Sequence, residues 1–216
     1  MKKIIIVISI LCLVAFYFFS REVKRGFLKS QDFNMTVRLQ DHMPVRLDGV
    51  WEAVSLPVTP TPSILVVGLL TIAALVDIKK KKIRLRALVI PLLFGALVWG
   101  ELYGKSVVHH PSPPFFMIKN PTTIFPQFYV NEQFSYPSGH TARAVFFGFV
   151  LFTLVARTVI DWVRERKRML IMGVLIGAYI LAVAIGKIYL GQHWMSDIIG
   201  GGLLGAGFGM IILGIY

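Results

Sequence analysis

The hydrophobic residues of this chain form long unbroken runs, without the strict alternation that is typical of half-buried strands. Six runs occur, at approximately residues 3–19, 61–78, 86–103, 143–162, 169–186 and 197–215. Each is close to the length of about 20 residues with which a helix crosses about 30 Å of hydrocarbon. Because a backbone in lipid must satisfy its own hydrogen bonds, the runs predict helices. The expected fold is all-α, a bundle of six transmembrane helices.

The composition supports this prediction. Of the 216 residues, 56% are hydrophobic and 16% are charged, whereas soluble domains average roughly 45–50% and about 25%. A soluble enzyme, a disordered protein and a secreted disulfide scaffold are therefore excluded, and the single cysteine, Cys12, excludes a disulfide or zinc framework. The first run resembles a signal peptide, but Ser20-Arg21-Glu22 lacks a small-residue cleavage pattern, so we expect a retained helix.

The basic residues predict an orientation. More than half of the 23 Lys and Arg residues lie at Lys2 and Lys3, in the connection 79–86 and in the connection 157–168. The positive-inside rule places these three regions and both termini on the cytoplasmic side. The net charge of +12 is thus explained by topology, and we expect no nucleic-acid partner.

Three segments then lie on the outer side. Residues 20–60 are too polar to span and long enough for one or two interfacial helices. Residues 103–142 form a Pro-rich loop, and residues 187–196 form a short connection. Without internal repeats or a second hydrophobic core, residues 1–216 are expected to form a single domain.

Ionisable residues collect at the outer ends of the last four runs. They are Lys105, His109, His110, His140, Arg143, Lys187, His193 and Asp197. Such residues are costly at membrane depth and mark functional sites. The predicted topology brings these segments to one face of the bundle, although they are far apart in sequence.

The segment Pro137-Ser138-Gly139-His140 precedes the fourth run. Ser is a good N-cap, and Gly lets a ligand approach the backbone. Free N–H groups at a helix start favour an anion, phosphate above all. His140 could then donate a proton to a leaving group. The alternative is an ordinary capped helix with an interfacial histidine.

His193 and Asp197 are four residues apart, so on a helix they would share one face. A carboxylate bonded to one ring nitrogen leaves the other nitrogen free to attack. Lys187 could attract phosphoryl oxygens. The alternative is an interfacial histidine with a capping aspartate. Lys105, taken alone, would be a lysine whose amine reaches the interface.

Together these segments resemble the type 2 phosphatidic acid phosphatase superfamily, the lipid phosphate phosphatases. The pattern of that family is Lys-x6-Arg-Pro, then Pro-Ser-Gly-His, then Ser-Arg-x5-His-x3-Asp. Here Lys105 is followed after six residues by Ser112-Pro113, residues 137–140 match fully, and residues 186–197 match in spacing. The resemblance covers roughly residues 60–215.

The resemblance implies that His193 is the nucleophile, that Asp197 orients it, and that His140 is the general acid and base. It implies that Lys105, Lys187, Ser138 and Gly139 hold the phosphate, and that neither a metal nor another cofactor is needed. Ser112 and Lys187 stand where the family has arginine, and Gly186 where it has serine, so two bidentate phosphate contacts are missing. Ser112 could give one hydrogen bond. Compensating charge could come from Lys119, Arg143, His109 or His110.

We therefore expect a membrane hydrolase that removes the terminal phosphate of an anionic lipid at the outer leaflet. Candidate substrates are phosphatidylglycerol phosphate, phosphatidic acid and undecaprenyl pyrophosphate. Two alternatives are a lipid phosphotransferase and a non-catalytic lipid-binding or transporter-like protein. Independently of function, Gly201, Gly205 and Gly209 are spaced for close packing of the sixth helix.

Overall fold

The computed structural model describes residues 2–77, 82–119, 133–156 and 162–216. The described part contains eight α-helices. They are α1 (Lys2–Lys24), α2 (Lys29–His42), α3 (Asp48–Ser55), α4 (Pro60–Leu75), α5 (Val89–Val108), α6 (Gly139–Ala156), α7 (Trp162–Tyr189) and α8 (Met195–Ile215). Two antiparallel strands of two residues each, β1 (Val76–Asp77) and β2 (Lys82–Ile83), follow α4. The prediction of a helical membrane bundle is confirmed.

The second predicted span differs from a straight helix over residues 61–78. Five described helical segments are long and apolar enough to span by themselves, and a sixth span requires α4 together with Val45–Val58, which is bent by 50° against it. Pro57, Pro60 and Pro62 explain the break, because proline lacks an N–H and disfavours helical geometry in the residue before it.

Several helices extend beyond the apolar runs. Helix α5 continues to Val108 and α6 begins at Gly139, so Lys105, His140 and Arg143 stand on helical turns. Helix α7 includes residues 164–168, which we had predicted to be a connection. Helical hydrogen bonding does not stop where the hydrocarbon ends, and long basic side chains reach the head groups. The basic residues Lys79, Lys80, Lys81 and Arg157 lie outside the described residues.

Helix α8 packs closely against α6 and α1. A Cβ atom added at Gly201 would overlap the carbonyl oxygen of Ser138, and one at Gly205 would overlap that of Ala142. On the α1 side, Ser9 Oγ donates a hydrogen bond of 2.6 Å to the Gly207 carbonyl. The predicted close packing of the sixth span is therefore confirmed.

Different residues lie at the two ends of the bundle. At one end, Lys2 Nζ donates to the Tyr216 carbonyl at 3.1 Å, and the Arg86 guanidinium lies 5.1 Å from the Tyr216 ring centre. At the other end, Gln40 of α2 donates to the Tyr189 carbonyl at 2.9 Å. Residues 20–60 thus contain two short helices, as predicted, and these pack over the second end.

Candidate active site

Two imidazoles meet at the end of the bundle that α2 and α3 cover. His140 stands in the first turn of α6, and the centre of its ring lies 5.7 Å from that of His193. His193 precedes α8, so the prediction that His193 and Asp197 share a helix face was wrong. The two side chains approach each other because the turn before α8 folds His193 back towards the helix start.

Asp197 is fully buried at this helix start. Its Oδ2 atom accepts a hydrogen bond of 2.8 Å from the Trp194 N–H and lies 3.5 Å from Nδ1 of His193. Among the described residues, His193 Nδ1 has no hydrogen-bond partner. The carboxylate therefore has both roles considered from the sequence: it caps α8, and it faces the ring of His193.

Ser138 and Gly139 pack the start of α6 against its neighbours. The Ser138 N–H donates to the Asp197 carbonyl at 2.9 Å, and Ser138 Oγ accepts from the Thr141 N–H at 3.4 Å. Ser138 is thus the N-cap of α6. A Cβ atom at Gly139 would overlap the carboxylate of Glu101, so close packing against α5 requires this glycine, whatever it does for a ligand.

Lys105 is half-buried and belongs to a charge cluster on α5 and α6, in which Glu101 and Arg143 are buried. Its Nζ atom lies 3.3 Å from Glu101 Oε1, and Arg143 donates to Glu101 Oε2 at 2.9 Å. Arg143 also donates to the Val58 carbonyl at 2.8 Å. Glu101 therefore balances two cations beside the histidines, and its position within the third apolar run is the sequence signal for it.

Lys187 is 1% exposed and belongs to a second cluster. Its Nζ atom donates to Gln192 Oε1 at 2.6 Å and lies 3.7 Å from Glu52 Oε2, while Gln192 donates to Glu52 at 3.2 Å. Glu52 stands on α3, so the segment 20–60 supplies the counter-charge of Lys187. Nothing in the local sequence around Glu52 signals this contact.

Three of these cations act on one ring. Lys187, Arg143 and Lys105 all act electrostatically on the imidazole of His140. The structure therefore brings Lys105, Lys187 and the two histidines to one place, as the topology predicted.

Ser112 lies on the wall of a cavity of about 360 Å³. Its described lining residues are Lys29, Asp32, Phe33, His110, Pro111, Ser112, Pro114 and Trp194. Of the proposed compensating residues, Lys119 donates to the Tyr189 hydroxyl at 3.0 Å, and His109 is exposed beside the Phe134 ring. Arg143 and His110 are buried at the site.

Asp32 of α2 is a further buried acid that the sequence did not signal. Its two carboxylate oxygens accept from the N–H and the hydroxyl of Ser196, each at 2.8 Å, at the start of α8. Burial raises the pKa of Asp32, while the bonds from Ser196 act in the opposite direction. Burial also raises the pKa of Tyr136, which lies just before α6.

The fold and this cluster define a multi-pass membrane protein with paired histidines and buried cations at one end of its bundle. The family model of the PAP2 superfamily matches residues 64–216. The chain therefore belongs to the PAP2 superfamily, and it is a membrane phosphatase.

A solved structure agrees with this fold. A transmembrane PAP2-type phosphatidylglycerolphosphate phosphatase from Bacillus subtilis superposes with a TM-score of 0.74 at 17% sequence identity. The match covers 96% of this chain and 94% of that chain, including the segment before residue 64. A search among curated proteins finds no match to the sequence.

Proposed function

We propose that this protein hydrolyses the terminal phosphate of an anionic lipid through a phosphohistidine on His193. The observation that carries the proposal is the pair of imidazoles, of which His193 is buried and His140 half-buried, with ring centres 5.7 Å apart. One phosphoryl group between the two rings can be attacked by one histidine and can have its leaving oxygen protonated by the other.

The assignment of roles follows from the neighbours of each ring. Nδ1 of His193 faces Asp197 at 3.5 Å, so Nε2 is the nitrogen that attacks phosphorus. The carboxylate stabilises the positive charge that this ring acquires. His140 protonates the leaving alcohol or phosphate and then takes a proton from the water that cleaves the phosphohistidine.

The cations have the role of holding the equatorial oxygens of the phosphoryl group, where charge spreads in the transition state. Lys105 and Lys187 are the candidates, with the Gly139 N–H at the start of α6 and Ser138 beside it. Arg143 joins them in this proposal, because it lies one turn beyond His140 on the same helix. Both lysines and Arg143 form ion pairs with carboxylates. The substrate phosphate would compete with these carboxylates for the cations.

The substrate class follows from the membrane location and the family. A phosphate ester with a lipid tail can place its head group at the end of the bundle while the tail stays in the bilayer. Phosphatidylglycerol phosphate is the first candidate, because the similar Bacillus subtilis structure is named for that activity. Phosphatidic acid and undecaprenyl pyrophosphate are the others.

The test is phosphate release by the purified protein from these three lipids in the presence of a chelator. We expect His193→Gln to lower the rate by at least about 1000-fold, with the variant His42→Gln as a matched control, since His42 is exposed on α2. Equal rates for the wild type and His193→Gln would refute the proposal. Loss of activity in the chelator would refute its metal-free mechanism, and release that requires a second lipid as acceptor would indicate a phosphotransferase.

A further inference from the structure

Asp197 is held by a second histidine that the family pattern does not contain. His110 is 6% exposed, and its Nδ1 atom lies 2.9 Å from Asp197 Oδ1. This position falls among the unspecified residues between Lys105 and Ser112. Among the described residues, the shortest bond from a side chain to the Asp197 carboxylate therefore comes from His110, while His193 Nδ1 lies 3.5 Å from Oδ2.

The far side of the His110 ring faces a second carboxylate. Its Nε2 atom lies 3.9 Å from Asp32 Oδ2, and Asp32 is anchored by the N–H and the hydroxyl of Ser196. The Tyr136 ring packs edge-on against His110, with ring centres 6.5 Å apart. With Asp197 ionised, the bond at 2.9 Å requires the tautomer in which His110 Nδ1–H is the donor and Asp197 Oδ1 the acceptor.

A carboxylate held by one hydrogen bond can rotate about χ2, because this torsion angle has a broad distribution in aspartate. In Asp197 the Trp194 N–H holds Oδ2 and the His110 ring holds Oδ1. The two bonds together fix the plane of the carboxylate, and this plane decides whether Oδ2 faces His193. Hydrogen-bond partners of this kind, one step removed from the reacting group, contribute about 10- to 100-fold where they orient metal ligands.

We propose that His110 is a positioning residue for the phosphatase reaction, because it holds the Asp197 carboxylate in the orientation that aligns His193. This inference rests on the proposed function, in which His193 is the nucleophile. It gives a role to the loop after α5, since that loop places His110 between α2 and α8.

The experiment compares His110→Ala and His110→Asn in the full-length protein in detergent. We expect His110→Ala to lower kcat by about 10- to 100-fold with KM changed by less than about threefold, because alignment of the nucleophile is lost while phosphate binding remains. The asparagine amide can replace the Nδ1–H donor, so His110→Asn should recover most of kcat. The matched control is His42→Asn, at an exposed position on α2.

A double variant tests whether His110 acts through Asp197. If it does, His110→Ala combined with Asp197→Asn should have the same kcat as Asp197→Asn alone, within about twofold. Additive losses would overturn the proposal, as would wild-type kcat in His110→Ala. Loss of folding in His110→Ala, seen as aggregation in gel filtration, would move the decision to His110→Asn, in which a low kcat in a folded protein overturns the proposal.

Comparing the wild type with His193→Gln distinguishes failure of the proposed function from failure of the role of His110. If these two release phosphate equally, the proposed function and the role of His110 fail together. If only His110→Ala matches the wild type, the role of His110 fails and the proposed function stands.

Discussion

At the scale of single residues, the buried Lys187 and the half-buried Lys105 share one property, which is that a carboxylate lies within ion-pair distance of each. Lys187 has Glu52 at 3.7 Å, and Lys105 has Glu101 at 3.3 Å. Burying a charge without a partner costs several kcal/mol, so these acids are required if the cations are to be placed inside the protein. The cations that would bind phosphate are therefore stabilised by acids before substrate arrives.

Removing one partner should show this dependence. We expect Lys187→Met to lower the free energy of unfolding by about 3–5 kcal/mol, because Glu52 would remain buried without its counter-charge. Adding Glu52→Gln to this variant should restore more than half of the loss. Unfolding by a denaturing detergent, followed by circular dichroism, measures both effects; a double variant less stable than Lys187→Met would contradict the explanation.

The assignment of His140 as general acid predicts a particular defect. With a substrate whose leaving group is a nitrophenolate, His140→Gln should still phosphorylate His193, because such a group needs no proton to leave. The second step should stay slow, since no base activates water. We expect a burst of about one nitrophenolate per protein in stopped-flow absorbance, with phosphate bound to the protein.

The control for this burst is His193→Gln, which should give neither burst nor bound phosphate. A steady rate without a burst in His140→Gln, equal to that of the wild type, would show that His140 has no part in either step.

At the scale of secondary structure elements, the contact of α6 with α8 sets the geometry of the site, since both histidines stand at the starts of these helices. The contact is close because Gly201 meets the backbone of Ser138 and Gly205 meets the backbone of Ala142. In the same helix, Gly202 has open space where a Cβ would lie. We therefore expect that adding a side chain affects stability differently at these two adjacent glycines.

We expect Gly201→Ala to destabilise the protein by about 1–3 kcal/mol through overpacking and to lower kcat, because the helix starts must separate. Gly202→Ala should be neutral or stabilise by up to about 1 kcal/mol, since alanine is the better helix former. Thermal unfolding in detergent and phosphate release measure the pair; equal effects of the two substitutions would contradict the packing argument.

At the scale of the whole molecule, the two ends of the bundle differ in charge and content. Lys2, Arg86 and the Tyr216 carbonyl lie together at one end, whereas the histidines lie at the other. With Lys2 and Arg86 at the first end, the positive-inside rule predicts that the histidines face the outer side of the membrane.

Labelling of single cysteines tests this orientation. In a Cys12→Ser background, Phe116→Cys stands at the histidine end and Leu85→Cys at the basic end, and the native residues are 81% and 72% exposed. We expect a membrane-impermeant maleimide to label Phe116→Cys in intact cells and Leu85→Cys only after permeabilisation. The reverse pattern would place the site on the cytoplasmic side.

Much of the architecture could be predicted because the signals for it are local. The apolar runs determine where helices span, and residues such as Lys105 and His140 stand where those runs end. The boundaries were less accurate: Pro57 and Pro60 bend the second span, and α7 continues through the basic residues 164–168. Helix ends depend on caps and on packing, which hydropathy does not report.

The sequence by itself determined a membrane bundle of helices, the end at which its ionisable residues meet, and the family pattern that these residues carry. Only the tertiary structure decided which acid faces which base. Glu52 reaches Lys187 across 135 positions of chain, and His110 reaches Asp197 across 87. A hydropathy pattern describes the residues of one helix. The pairing of buried charges depends on the packing of the whole bundle, which determines which helix ends come together.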